Sequence, residues 1–155
     1  MDIKTINKFR KQLLKKLNLH PYDIKKTIEQ YPDAIYYMII GERTGGKTYS
    51  SLDYCLERYF LYGEEFVYLR RFEEDIKKKR MDQLFSPFVN SGYISMITEG
   101  KYNDVFYYAG KFYLCETHDD KRIRAEKPFA YALSINTMVH DKSTSYPNVV
   151  NLIFD

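Results

Sequence analysis

Apolar residues recur at helical spacing near the start of the chain and in short continuous runs further along, a change that predicts helices followed by strands. The first amphipathic pattern predicts a helix over Ile3–Leu17, with Asp2 available as its cap and lysines on the other face. A second short helix is expected over Pro21–Gln30, with proline in its first turn. The apolar run Ile35–Ile40 then has the length of a buried strand.

The middle and end of the chain alternate between strand-like and helix-like patterns. Predicted helices are about Tyr49–Tyr62 and Phe72–Phe85, and His118–Lys127 is expected to be a polar loop. Predicted strands are Glu65–Leu69, Tyr93–Thr98, Val105–Tyr108, Phe112–Cys115, Phe129–Ile135 and an apolar strand within Tyr146–Asp155 that ends in the acidic residue. A strand, a helix and a second strand form a βαβ unit, which implies a parallel sheet and an α/β fold. The strands between about residues 90 and 135 are expected to form a β-rich insertion.

Length and composition fit one globular domain: 155 residues with 45% hydrophobic and 29% charged residues. No apolar run reaches the 18 or so residues that span a bilayer, and no signal peptide opens the chain, so we expect a cytoplasmic protein without a membrane partner. Cys55 and Cys115 lie far apart, which favours reduced thiols over a disulfide or a zinc site.

Positive charge is concentrated near the start of the chain. Residues 1–30 contain eight Lys/Arg and three Asp/Glu, whereas the whole chain has a net charge of only +3. One interpretation is a helical lid packed on the domain, and the other is a basic arm that contacts nucleic acid or a neighbouring subunit. We therefore divide the chain into a basic helical extension, residues 1–32, and the main domain, residues 33–155.

A complete phosphate-loop motif, G-x-x-x-x-G-K-[ST], runs from Gly41 to Thr48 directly after the predicted strand Ile35–Ile40. Glycines let the backbone turn and bring its N–H groups close to phosphates, and the following helix directs its positive end at the same anion. Lys47 can contact the β- and γ-phosphates, and the Thr48 hydroxyl can bind Mg²⁺. The predicted nucleotide-binding residues are Gly41, Glu42, Arg43, Thr44, Gly45, Gly46, Lys47 and Thr48.

Two further candidates follow predicted strands. Asp155 ends the predicted strand within Tyr146–Asp155, which is the position of the aspartate that holds Mg²⁺ in proteins with this loop, so Thr48 and Asp155 are the predicted metal ligands. Arg70 and Arg71 follow Glu65–Leu69, at the edge of an α/β sheet that faces the ligand crevice. The two arginines are either phosphate contacts or solvated charges at the rim.

Four stretches together make the chain resemble the DNA-packaging ATPases (DNA encapsidation proteins) of small podovirus-type bacteriophages. They are Ile39–Thr48, Tyr62–Phe72, Ala132–Ile135 and Ser145–Asp155. The resemblance runs from about residue 35 to the end and does not clearly include residues 1–30. It implies a P-loop NTPase core of the additional-strand class, with a parallel sheet, the β-rich insertion and an N-terminal helical extension.

The resemblance also implies an enzyme, an ATPase motor subunit that uses ATP and Mg²⁺ to drive viral double-stranded DNA into a procapsid. Its expected partners are that DNA, the portal or procapsid and further copies in a homo-oligomeric ring, at the procapsid vertex in the infected host cell. Lys47, Arg43 and Asp155 are the catalytic residues that it implies, with Arg43 sensing the γ-phosphate. The alternative is that Arg43 is simply an exposed loop arginine.

The family places a water-orienting glutamate directly after the magnesium aspartate, whereas this sequence ends at Asp155. We therefore expect the amino-terminal part of a longer protein, with an incomplete sheet and little or no activity by itself. Two alternatives remain open. One is a non-catalytic nucleotide- or DNA-binding module, and the other is a small nucleotide kinase with a lid at Lys121–Arg124.

Overall fold

A computed structural model describes residues 2–16, 18, 20–43, 45–119, 121–138 and 144–155, with backbone only at 137 and 138. The α-helices in these ranges are α1 (Ile3–Lys16), α2 (Ile24–Gln30), α3 (Lys47–Tyr62), α4 (Lys78–Leu84), α5 (Ser86–Asn90), α6 (Tyr93–Ile97) and α7 (Ile135–Met138). The strands are β1 (Glu65–Arg70), β2 (Asp104–Tyr108), β3 (Lys111–His118), β4 (Lys121–Arg124), β5 (Ala130–Ser134) and β6 (Val149–Phe154), and Glu73–Ile76 forms a 3-10 helix. No helix within these ranges has the length and apolar composition needed to cross a bilayer.

The described strands form one mixed sheet in the order β2-β3-β5-β1-β6, and β4 pairs with β3. Strand β1 pairs in parallel with both β5 and β6, so the expected parallel core is present, although the predicted βαβ unit relied on Ile35–Ile40 as its first strand. The pairs β2–β3, β3–β4 and β3–β5 are antiparallel. Because the carboxyl ends of β1, β5 and β6 meet at one edge, residues that follow these strands come close together there.

The two expected N-terminal helices are present. The Asp2 carboxylate accepts a hydrogen bond from the Thr5 N–H (2.8 Å), as expected for a cap. Helix α2 begins at Ile24 rather than Pro21, because Asp23 caps it by accepting from the Lys26 N–H. This shift leaves Pro21 outside the helix.

The predicted strand Ile35–Ile40 is wrong, because this segment has no regular secondary structure. Ile35, Tyr36, Met38 and Ile40 are each 85–90% exposed. None of the described strands pairs with the segment, and a strand forms only where its backbone N–H and C=O groups find partners. Apolar composition alone therefore did not specify a strand.

Three other local predictions are also wrong. Tyr93–Thr98 contains helix α6, whose buried residues Tyr93, Ile94 and Ile97 follow helical spacing. The predicted loop His118–Lys127 contains β4, whose residues are all exposed because the strand lies off the main sheet path. The predicted helix Phe72–Phe85 is divided into a 3-10 helix and α4 by extended backbone at Lys77.

Aromatic side chains form the centre of the core between the sheet and the helices. Phe66, Phe85, Phe88, Phe112 and Phe129 are almost fully buried, and the Phe85 and Phe112 rings contact edge to face with centroids 5.0 Å apart. Such contacts contribute beyond simple burial of apolar area.

Both cysteines are free and buried. Burial raises the pKa of Cys55 to about 12 and that of Cys115 to about 11, so both thiols stay protonated near neutral pH. This agrees with the prediction of reduced core thiols.

Strand β6 lies at one edge of the described sheet and exposes one face, with Val150, Leu152 and Phe154 each more than half exposed. The opposite face packs partly on the core through Ile153. The expectation of an incomplete sheet stays a prediction.

Candidate functional site

The phosphate-loop motif leads directly into α3, as predicted. Gly46 precedes the helix with a left-handed backbone (φ 67°) that disfavours any residue with a side chain. A Cβ at this position would lie 2.6 Å from the Cβ of Pro21, so the close approach of Pro21 also requires glycine. The glycine therefore serves both the turn and the packing of the preceding segment.

The Lys47 side chain folds back into the loop. Its ammonium group donates hydrogen bonds to the Gly41 carbonyl (3.0 Å) and to the Glu42 carbonyl. A hollow of about 230 Å³ opens beside it, lined by Tyr22, Ile39, Ile40, Gly41, Glu42, Arg43, Gly45 and Lys47. Five of the eight predicted nucleotide-binding residues, Lys47 among them, thus line one hollow, and Thr44 lies outside the described residues.

The two predicted metal ligands meet. The Thr48 hydroxyl donates to Asp155 Oδ1 at 3.1 Å, across 107 positions of sequence. The Asp155 N–H donates to the Leu69 carbonyl (3.2 Å), which continues the pairing of β6 with β1 and fixes the carboxylate at this edge. A hydroxyl and a carboxylate at this distance are oxygen donors of the kind that Mg²⁺ prefers.

The second oxygen of Asp155 is held by residues of β1. Tyr68 donates its hydroxyl to Asp155 Oδ2 at 2.8 Å, and Arg70 Nη1 lies 3.1 Å from the same oxygen. Burial, and then the Asp155 carboxylate, raise the pKa of Tyr68, so the phenol remains a donor over the physiological pH range. Tyr68 was missed at the sequence level, and its only signal is its place two residues before Arg70 in the string that carries the family resemblance.

The structure gives Arg70 and Arg71 different surroundings. Arg70 pairs with Asp155 and lies 3.8 Å from Asp75, so it is an ion-paired residue at the carboxyl end of β1. Arg71 is exposed, with its guanidinium over the Phe72 ring. Arg43 lines the hollow beside Lys47, and its sensor role stays a prediction.

The segment that leads into α2 is hydrogen-bonded to the phosphate loop and to α3, and no sequence signal indicated these contacts. The Tyr22 N–H donates to the Gly45 carbonyl (3.0 Å), and the Ile24 N–H donates to the Ser50 hydroxyl (3.2 Å). The N-terminal part therefore fixes both the end of the loop and the first turn of α3.

A buried ionic cluster joins α1 and α2 to α3, on the helix face that also carries Ser50. The Arg10 guanidinium donates to Asp53 (2.9 Å) and Glu57 (2.7 Å), and Lys25 also pairs with Glu57. Burial raises the pKa of Asp53 although Arg10 acts against it. For Glu57, burial is outweighed by hydrogen bonds from Lys25 and Arg10, so its pKa is lowered. Arg10 and Lys25 of the extension thus attach to α3, the helix that follows the phosphate loop, through buried ion pairs.

Known proteins resemble this chain in sequence and structure. The DNA packaging protein of Bacillus phage phi29 is 26% identical over 123 residues, which cover 79% of this chain and 31% of that protein. The chain therefore spans about a third of the length of the curated relatives that it matches.

Two solved structures share the fold. The crystal structure of the N-terminal domain of the DNA packaging ATPase from bacteriophage phi29 matches 86% of this chain and 58% of that chain, with a TM-score of 0.65 and 25% identity. A chain of the bacteriophage phi29 viral genome packaging motor assembly has a TM-score of 0.54 at 24% identity, over 87% of this chain and 35% of that one. The second match is a likeness of fold.

A family model matches residues 20–155, which contain the phosphate loop, Tyr68, Arg70 and Asp155. On this evidence the chain belongs to the family described as Podovirus DNA encapsidation protein (Gp16).

Proposed function

We propose that this chain is the nucleotide-binding part of an ATPase motor subunit that couples ATP hydrolysis to the movement of viral double-stranded DNA into a procapsid. The observation that carries the proposal is the contact between Thr48 and Asp155, beside Lys47 in the phosphate loop. Residues distant in sequence are thereby brought together at the carboxyl edge of the parallel strands, where α/β sheets bind ligands. Family membership and the name of the phi29 relative support the role in DNA packaging.

The donor set fits ATP with Mg²⁺. Lys47 would contact the β- and γ-phosphates, and the N–H groups at the start of α3 would donate to the same anion. Thr48 and Asp155 would hold Mg²⁺, with the carboxylate kept in orientation by Tyr68. When bound, Mg²⁺ neutralises charge on the phosphate oxygens. Arg43 is the proposed sensor of the γ-phosphate, because a guanidinium fork suits phosphate.

The proposal extends to the setting of the full-length protein. We propose a homo-oligomeric ring that contacts the portal at the procapsid vertex, in the cytoplasm of the infected bacterial cell. The fold likeness to a chain of the phi29 packaging motor assembly supports this arrangement. Hydrolysis is proposed for the full-length protein, and nucleotide binding for the part described here.

Thermal unfolding tests nucleotide binding by this chain. ATP with Mg²⁺ at about one hundred times the dissociation constant is expected to stabilise it by about 2.7 kcal/mol. For a domain of this size that corresponds to a rise of about 5–10 °C in the unfolding midpoint. ATP with EDTA should raise the unfolding midpoint less, because EDTA removes the Mg²⁺ that Asp155 would bind. Equal midpoints with and without ATP would contradict the proposed site.

DNA-stimulated turnover of the full-length protein tests the motor function. ATP hydrolysis is expected to increase when double-stranded DNA is added, because a translocating motor couples the two. The measurement is phosphate release with and without duplex DNA, at saturating ATP. Nucleotide binding with no hydrolysis under either condition would instead support the non-catalytic binding module, and phosphate transfer to a nucleoside monophosphate would support a kinase.

A further inference from the structure

The outer face of α1 carries a continuous row of positive charge. Lys4, Lys8, Lys11 and Lys15, here called the lysine stripe, are all exposed. At 100° per residue they lie opposite the buried residues Ile6 and Leu13. The stripe is about 16 Å long, because it spans eleven residues at 1.5 Å each.

This row is not an ordinary solvated helix face. Helix α1 contains no acidic residue, and none of the four lysines has an ion pair with a described carboxylate. Lys4 and Lys8, and likewise Lys11 and Lys15, are like charges four residues apart, which destabilises a helix. The arrangement therefore slightly destabilises α1 itself and leaves all four charges available to an external anion.

Buried contacts fix the rotation of α1 so that the stripe faces outward. Arg10 is paired with Asp53 and Glu57 on α3, and Ile6 is only 1% exposed. The single arginine of the helix is thus used for attachment, and the exposed lysines remain for another partner. A helix fixed in this way presents its charges without further ordering of the backbone, which lowers the entropic cost of binding.

We propose that the lysine stripe binds the phosphate backbone of double-stranded DNA. Duplex DNA carries about one negative charge per 1.7 Å, so phosphates are available along the whole stripe. A bilayer is a poorer fit, because helices that lie on membranes insert an apolar face, and that face of α1 is buried against the domain. A protein partner is also a poorer fit, since the centres of protein interfaces are depleted in lysine.

This proposal deepens the proposed function and rests on it only for the choice of duplex DNA as the polyanion. The stripe lies outside the family match, which begins at residue 20.

Salt dependence of DNA binding by the full chain tests the stripe. The probe is a fluorescently labelled 30-base-pair duplex, measured by anisotropy between 50 and 200 mM salt. Replacing all four lysines with glutamine is expected to make the slope of log K against log salt shallower by about 3.6, or about 0.9 for each phosphate that is no longer neutralised. The weakening should be the same for unrelated DNA sequences, because phosphates carry no sequence information.

The matched control replaces four exposed lysines on other elements with glutamine, which changes the net charge equally. Suitable positions are Lys77, Lys79, Lys111 and Lys121. The control is expected to keep the wild-type slope, and circular dichroism should show that both variants keep their helices. Equal slopes for the stripe variant and the wild type, or equally shallow slopes in both variants, would overturn the proposal.

Two further measurements separate this proposal from others. Binding of the wild type to phosphatidylserine vesicles but not to duplex DNA would assign the stripe to a membrane and overturn the proposal. If the chain binds DNA through the lysine stripe but does not bind ATP, the proposed function is wrong and the proposal for the stripe stands. If the stripe variant binds ATP normally and keeps the wild-type slope of log K against log salt for DNA binding, only the proposal for the stripe is wrong.

Discussion

Replacing Lys47 with alanine is expected to weaken ATP binding by roughly tenfold to a hundredfold. The ammonium lies inside the phosphate loop, where it contacts the Gly41 and Glu42 carbonyls and is placed to contact phosphate. Hydrogen bonds to charged groups contribute about 1.5–3 kcal/mol, which gives the expected range. Titration with a fluorescent ATP analogue in the presence of Mg²⁺ measures the dissociation constant directly.

Lys79→Ala is the matched control, because Lys79 is an exposed lysine of α4 outside the hollow. It should bind ATP like the wild type. The unfolding midpoint without nucleotide should also be compared, since Lys47 connects two carbonyls of the loop and its removal changes the free protein too. An unchanged dissociation constant for Lys47→Ala would show that the loop is not the nucleotide site.

The loop motif and the candidate metal ligands could be identified in the sequence because their signals are local. The pattern from Gly41 to Thr48 specifies a turn and a helix start within eight residues, and Asp155 directly follows an apolar run. The contact between Thr48 and Asp155 depends on the parallel pairing of β6 with β1, whereas the predicted βαβ unit joined β1 to Ile35–Ile40, which forms no strand.

The features that were missed depend on partners distant in sequence. Ile35–Ile40 has the composition of a strand but no described neighbour to pair with, and β4 is polar because its position off the main sheet path leaves it exposed. Tyr68 reaches Asp155 only through the register that places Tyr68 opposite Ile153. Composition reports the local preference of a segment, whereas register and pairing are set by the whole chain.

Replacing Arg10 with alanine is expected to lower the free energy of unfolding by about 3–5 kcal/mol. Arg10 pairs with both Asp53 and Glu57, whose side chains are only 9% and 6% exposed, and Lys25 supplies the second positive charge. Removing one partner of a buried ion pair leaves uncompensated charge, which costs far more than the pair contributes. Urea denaturation at pH 7 measures the change, and proteolysis within α1 should show whether the extension has detached from α3.

Lys8→Ala, on the exposed side of the same helix, removes an equal charge and should change the stability by no more than about 0.5 kcal/mol. A double variant with Arg10→Met and Asp53→Leu should recover most of the lost stability, because it removes one charge of each sign and leaves Glu57 paired with Lys25. The deficit of Arg10→Ala should also shrink as the pH falls towards 5, since a buried carboxyl without its arginine takes up a proton more readily. If Arg10→Ala were as mild as Lys8→Ala, α1 would be held chiefly by buried apolar residues such as Ile6 and Leu13, and Arg10 would not be what couples it to the helix of the phosphate loop.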